Sequence, residues 1–126
     1  MAFFTTGRLA VILALALPAS GLAAGEINSQ LQIEAGQTFE LGGGQAGGFL
    51  VTGKNTGPVS VEVLAKAPGK PVSVRGTVAP GGAINAQFAP GETALLRNAS
   101  GRQMARLKLK VTGDTSGLGM TYSANP

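Results

Sequence analysis

Residues 105–112 read Ala105-Arg106-Leu107-Lys108-Leu109-Lys110-Val111-Thr112, and they decide how the rest of the chain is read. Ala105, Leu107, Leu109 and Val111 alternate with Arg106, Lys108, Lys110 and Thr112. A period of two puts the apolar set on one face of a strand and the cationic set on the other. A helix would scatter both sets around its circumference.

Working outward, Val59, Val61, Val63 and Ala65 alternate with Ser60, Glu62, Leu64 and Lys66. Val72, Val74, Gly76 and Val78 alternate with Ser73, Arg75 and Thr77. Fainter strands are expected over residues 31–34, 38–41, 49–52, 84–88, 93–98 and 118–122. Turn signals divide these runs. The Pro-Gly pairs at Pro68, Pro80 and Pro90 combine a fixed φ with a residue free to take positive φ. About nine short strands at close spacing predict an all-β chain. The expected fold is a two-sheet antiparallel β-sandwich of immunoglobulin-like or jelly-roll type. Its expected core is Leu31, Ile33, Phe39, Leu41, Phe49, Val51, Val61, Val63, Val72, Val74, Ile84, Phe88, Leu96, Leu107, Leu109 and Val111.

The first 24 residues read differently. Arg8 precedes an unbroken apolar run over 9–17, Pro18 ends it, and Ala19, Ser20, Gly21, Ala23 and Ala24 supply a small-residue exit. This is the pattern of a signal peptide. A spanning helix needs about 20 apolar residues, and Pro18 and Gly21 interrupt this one. Residues 1–24 are therefore expected to be a signal peptide and 25–126 a single domain. The processed chain is expected in the periplasm or outside the cell, with no membrane span. Loss of Arg8 leaves it with a net charge of +3.

The 126 residues contain no Cys, no His and no Trp. Disulfides, thiolate metal sites and the Ser-His-Asp and Cys-His arrangements are thereby excluded, as is the Trp-and-disulfide pin of antibody domains. Glu34 and Glu40 flank Ala35-Gly36 and would approach one another if that turn closed a hairpin. Two glycosidase carboxylates stand in such a relation, but a pair of solvated glutamates is the simpler account. The run 42–48, rich in Gly, lacks the Lys and helix of a phosphate loop and reads as a flexible loop. Asp114 is too lone a carboxylate for calcium. Asn98-Ala99-Ser100 matches a glycosylation triplet. Asn55-Thr56-Gly57 and Asn98-Ala99-Ser100-Gly101 each join two strands, an echo that would correspond to two similar hairpins or to reuse of one turn chemistry. No catalytic residue, cofactor or metal is expected.

Arg106, Lys108 and Lys110 are the candidate binding residues, joined by Arg97 and Arg102 if the strand before them lies alongside. The alternative is that these cations solubilise an outer face or guard a sheet edge, with Glu62 pairing one of them. The leading expectation is a small exported, non-catalytic binding or accessory protein of the cell envelope. It would meet a protein partner through loops or a strand edge, either the Ala105 strand or the first strand. The second expectation is that the basic face binds an anionic polysaccharide or lipid surface. Export and the scarcity of aromatics oppose nucleic acid.

Overall fold

The computed structural model describes residues 24–126. The expected signal peptide lies outside them, except that Ala24 opens the first strand. Nine strands follow: β1 (Ala24–Ile33), β2 (Gln37–Gly42), β3 (Phe49–Asn55), β4 (Val61–Lys66), β5 (Ser73–Val78), β6 (Ala83–Phe88), β7 (Thr93–Asn98), β8 (Ala105–Asp114) and β9 (Met120–Ala124). They form two sheets, β1-β8-β3-β6 and β5-β4-β7-β2-β9, with every pairing antiparallel. Alternation in most strands supplies one apolar face, and the apolar faces of both sheets meet in one buried cluster, to which β5 gives only Val78. Phe49 and Phe88 stack within it, ring centroids 5.1 Å apart.

Among the described strands, only the β4–β5 connection stays within one sheet; the others cross between sheets. Exchanging β1 with β5, β2 with β6, β3 with β7 and β4 with β8 leaves every pairing among these eight strands intact. The chain is thus two four-strand halves wound about a pseudo-twofold axis, with β9 added beside β2. The β1–β2 and β5–β6 turns repeat the same geometry. Gln37 N donates to Glu34 O at 3.1 Å and Gly82 N to Ala79 O at 2.8 Å. Gly36 and Gly81 take φ of 74° and 80° there, a conformation other residues resist.

The same axis relates Asn55 and Asn98, which end β3 and β7 and are almost wholly buried. Asn55 Nδ2 donates to Val59 O at 2.7 Å and across to Val78 O of the other sheet at 3.0 Å, while Oδ1 accepts from Gly57 N. Asn98 Nδ2 donates to Gln103 O at 2.8 Å and across to Ile33 O at 3.0 Å, while Oδ1 accepts from Ser100 N. The two turns are therefore not hairpins, one of the two readings of their echo, but arches that carry the chain from sheet to sheet. Each Asn fills its own turn and latches the far sheet with the same amide. A buried amide is tolerated only when its bonds are made, and here they are.

Val72 and Val74 leave the expected core: they are 47% and 67% exposed. A bulge shifts the register, so that Val63 faces Gly76 but Leu64 faces Val74. The extra residue turns Val74 to the outer face. Val78, past the bulge, keeps its inward position. Ala65, Ala94 and Ala105 complete the core, Ala65 and Ala105 at the inward positions that the alternation of their strands assigns them.

Candidate functional site

β8 lies inside its sheet, flanked by β1 and β3. It is not the edge it was expected to offer, and its cations therefore do not guard an edge. Its burial alternates strictly: Ala105, Leu107, Leu109 and Val111 are buried, and Arg106, Lys108 and Lys110 are exposed. Successive outward residues on a strand stand about 7 Å apart. The three cations therefore form a row about 14 Å long down the middle of the outer face.

β3 adds a fourth. Lys54 is exposed and lies directly opposite Lys108. Its neighbour Gly53 takes φ of 151°, and a Cβ there would run into the Lys108 carbonyl oxygen. Glycine lets β3 close on β8 at this point and brings the two ammonium groups to adjacent strands. Like charges directly opposite are unfavourable. Sequence reasoning missed Lys54 because Gly53 breaks the alternation and made the strand appear to stop at Thr52. The parity of Leu50 and Thr52 was the available signal.

Amides surround the cations. Asn28, Gln30 and Gln32 of β1 stand opposite Lys110, Lys108 and Arg106. Asn85 and Gln87 of β6 lie exposed beyond β3. Gln30, Gln32, Thr56, Arg106 and Lys108 border a hollow of about 270 Å³. Glu26 is the single carboxylate on β1, and its Oε1 lies 3.5 Å from Lys110 Nζ. The Asn28 amide, and then Lys110, hold the Glu26 carboxyl below its ordinary value.

Arg97 is separated from this face. It lies on β7 in the five-stranded sheet, where its Nη1 donates to Glu62 Oε1 at 2.8 Å. Glu62 does pair a cation, as expected, but on the opposite side of the molecule. Arg102 is exposed in the connection that leads into β8. The face therefore unites Arg106, Lys108 and Lys110 with Lys54, while Arg97 faces away.

The other sequence candidates have structural duties. Glu34 follows β1 and Glu40 lies on β2, so the turn between them joins two sheets and is no hairpin. Glu40 accepts from Ser123 Oγ at 2.6 Å. The glycine loop is pinned: Gln45, 8% exposed, receives Gly43 N on Oε1 and donates to Glu92 O. Asp114 accepts from Gly47 N at 2.8 Å. Asn98 is 0% exposed and committed to its latch, which leaves no room for a glycan in the folded chain. Among the described residues, no three Asp, Glu, His or Cys side chains gather where a metal would sit.

Arg75 and Glu92 form a clasp between the sheets. Arg75 Nη2 meets Glu92 Oε2 at 2.7 Å, and Arg75 Nη1 donates to Gln87 O at 2.6 Å. The Ala89 N–H, which donates to Glu92 Oε1, lowers the Glu92 pKa; partial burial opposes this, and Arg75 adds to the lowering. A second groove, of about 460 Å³, crosses the outer face of the five-stranded sheet between Leu64, Val72 and Leu95. Its charged margins, Glu40, Lys66 and Arg97, are of mixed sign.

No family model, curated protein or solved structure matches this chain.

Proposed function

We propose that this chain is an exported, non-catalytic binding module of the cell envelope, and that the outer face of its four-stranded sheet binds an acidic polysaccharide. The observation that carries this reading is the cross-strand pair Lys54 and Lys108 within the row Arg106, Lys108 and Lys110. Placing like charges opposite one another works against stability, and a bound polyanion would turn that cost into affinity. A row about 14 Å long suits a chain of repeated anions better than one small ion. The flanking Asn and Gln side chains offer donors and acceptors to hydroxyl groups. The large apolar side chain on this face, Leu50, is only partly exposed, which favours a polymer over insertion into a lipid surface.

The strand order supports the jelly-roll type of sandwich over the immunoglobulin-like type. β1 pairs with β8 while β2 lies in the other sheet, whereas an immunoglobulin-like sheet places its first two strands side by side. Eight strands in two interlocked halves is the jelly-roll pattern. The expected contact with a protein partner through a strand edge is left to β1, because β8 is enclosed.

The test uses polygalacturonate and its fully methyl-esterified form, which share a backbone and differ in charge. The protein should bind the first at low salt, release it as salt rises, and ignore the second. Equal binding to both would overturn the reading. Lys54→Gln should weaken polygalacturonate binding about threefold. The same change should raise the melting temperature by about 1–3 °C, because a like-charge pair disappears. A binding residue that is also mildly destabilising is what this reading requires.

A further inference from the structure

We propose that the free edge of β1 pairs with the same edge of a second copy of this chain, joining two four-stranded sheets into one. This goes beyond the polymer-binding reading and does not depend on it.

Among the described residues the molecule has four edge strands: β1, β6, β5 and β9. Three are blunted. β5 is bulged beside Leu64 and carries Arg75. β6 has six residues, and the Gln87 carbonyl is occupied by Arg75 Nη1. β9 has five residues. β1 is different. It runs ten residues in unbroken register with β8, and it contains no Lys, Arg or Pro. Proteins that avoid edge-to-edge pairing place such residues or bulges at their edges. β1 has no Lys, Arg, Pro or bulge, and its one charged side chain, Glu26, is engaged by Asn28 and Lys110 of its own sheet.

The backbone of β1 also says which groups are available. In an antiparallel ladder, residues of one parity turn both N–H and C=O toward the partner, and the other parity turns both away. Tyr122 Oη, from β9 of the other sheet, donates to Gln32 O at 2.9 Å. Gln32 therefore belongs to the outward parity, with Gln30, Asn28 and Glu26. Tyr122 closes the Gln32 end of the edge and leaves Glu26, Asn28 and Gln30 open.

These three residues are self-complementary. A twofold axis at Asn28 sets Asn28 opposite its own copy and Glu26 opposite Gln30 of the second chain. All the paired residues then have outward parity, which is the condition for a ladder to form. About six backbone hydrogen bonds result. On the side-chain level the axis pairs amide with amide and carboxylate with amide, and no like charges meet. The second copy is favoured over an extended peptide of another protein because this register needs nothing β1 does not itself supply. Closure by a twofold axis also ends the assembly at two. The basic faces of both copies then lie on the same side of one continuous sheet, an arrangement that would multiply the hold on a long polyanion.

The test is sedimentation equilibrium of the processed protein, without polymer, over a concentration series up to about 200 µM, where an edge contact of modest area should be populated. The wild type should fit a monomer–dimer equilibrium. Asn28→Pro removes an N–H that faces away from β8, a place where an edge strand accepts proline, and should raise the dissociation constant at least about tenfold. Asn28→Lys places two ammonium groups at the axis and should do the same with the backbone intact. Asn85→Lys on β6 should leave dimerisation unchanged. Circular dichroism and melting temperature of each variant confirm that the monomer is folded. A wild type that stays monomeric across the series overturns the proposal. So does a dimer that survives both Asn28 substitutions, or one broken by Asn85→Lys alone.

Discussion

Replacing Asn98 with Ala should lower the free energy of unfolding by about 3 kcal/mol in urea titrations. The Asn98 amide donates to Ile33 O in one sheet and Gln103 O in its own arch, and accepts from Ser100 N. Alanine removes all three bonds at a site with no exposure to water. The carbonyls and the N–H are left without their partner, and an unsatisfied buried group costs about 1–3 kcal/mol. Asn55→Ala should fall in the same range, because its bonds to Val59, Val78 and Gly57 are those of Asn98 carried through the pseudo-twofold axis. Asn98→Asp separates latch from volume. It keeps the acceptor for Ser100 but aims a carboxylate oxygen at two carbonyls. Burial and those carbonyls raise the folded-state pKa of such an Asp above its unfolded value. The penalty is then greatest above the folded pKa and relaxes as the pH falls below it. Asn98→Asp should therefore unfold more readily at pH 7 than at pH 4, relative to wild type. A variant as stable as wild type at both would show that the sheets are not latched there.

The second large effect concerns Lys108 and Lys110. Changing both to Gln should weaken polygalacturonate binding by about tenfold or more and flatten its salt dependence. Both side chains are exposed and point away from the core, so the melting temperature should barely move. Arg97→Gln is the control. Arg97 lies on the other sheet, paired with Glu62, and its loss should leave polymer affinity unchanged. An equal loss from Arg97→Gln would locate binding in the groove of the five-stranded sheet. Unchanged binding by the double variant would remove the basic face from the account.

Much of this architecture can be read from residue spacing. The period-two runs around Val61 and Leu107 dictate which side chains turn inward, and the structure follows them. Turns are legible for the same local reason, since the chemistry of the Pro-Gly pairs and of Asn55 and Asn98 acts within a few residues. What cannot be read locally is which strand lies beside which. Arg97 and Arg106 have the same outward character along the chain. Only the crossing of the β7–β8 arch puts them on opposite faces. The bulge beside Leu64 inverts Val72 and Val74. Its mark in the sequence is Gly76, which faces Val63 at φ 152° next to the register shift, and an alternation read straight through that glycine misses it. The Asn55 and Asn98 echo was visible as turn chemistry. Its meaning was not, because the Val78 and Ile33 carbonyls arrive from distant strands. Lys54 stayed hidden behind Gly53, whose role is to let two strands approach and not to end one.

The most direct test of the proposed polymer-binding face is an amide ¹H–¹⁵N titration of the labelled domain, residues 25–126, with short oligogalacturonates. Shifts concentrated at Lys54, Arg106, Lys108 and Lys110 and their neighbours Gln30 and Gln32, and erased by salt, are what the account predicts. Shifts confined to the five-stranded sheet around Leu64, Leu95 and Arg97, or none at any concentration, would contradict it.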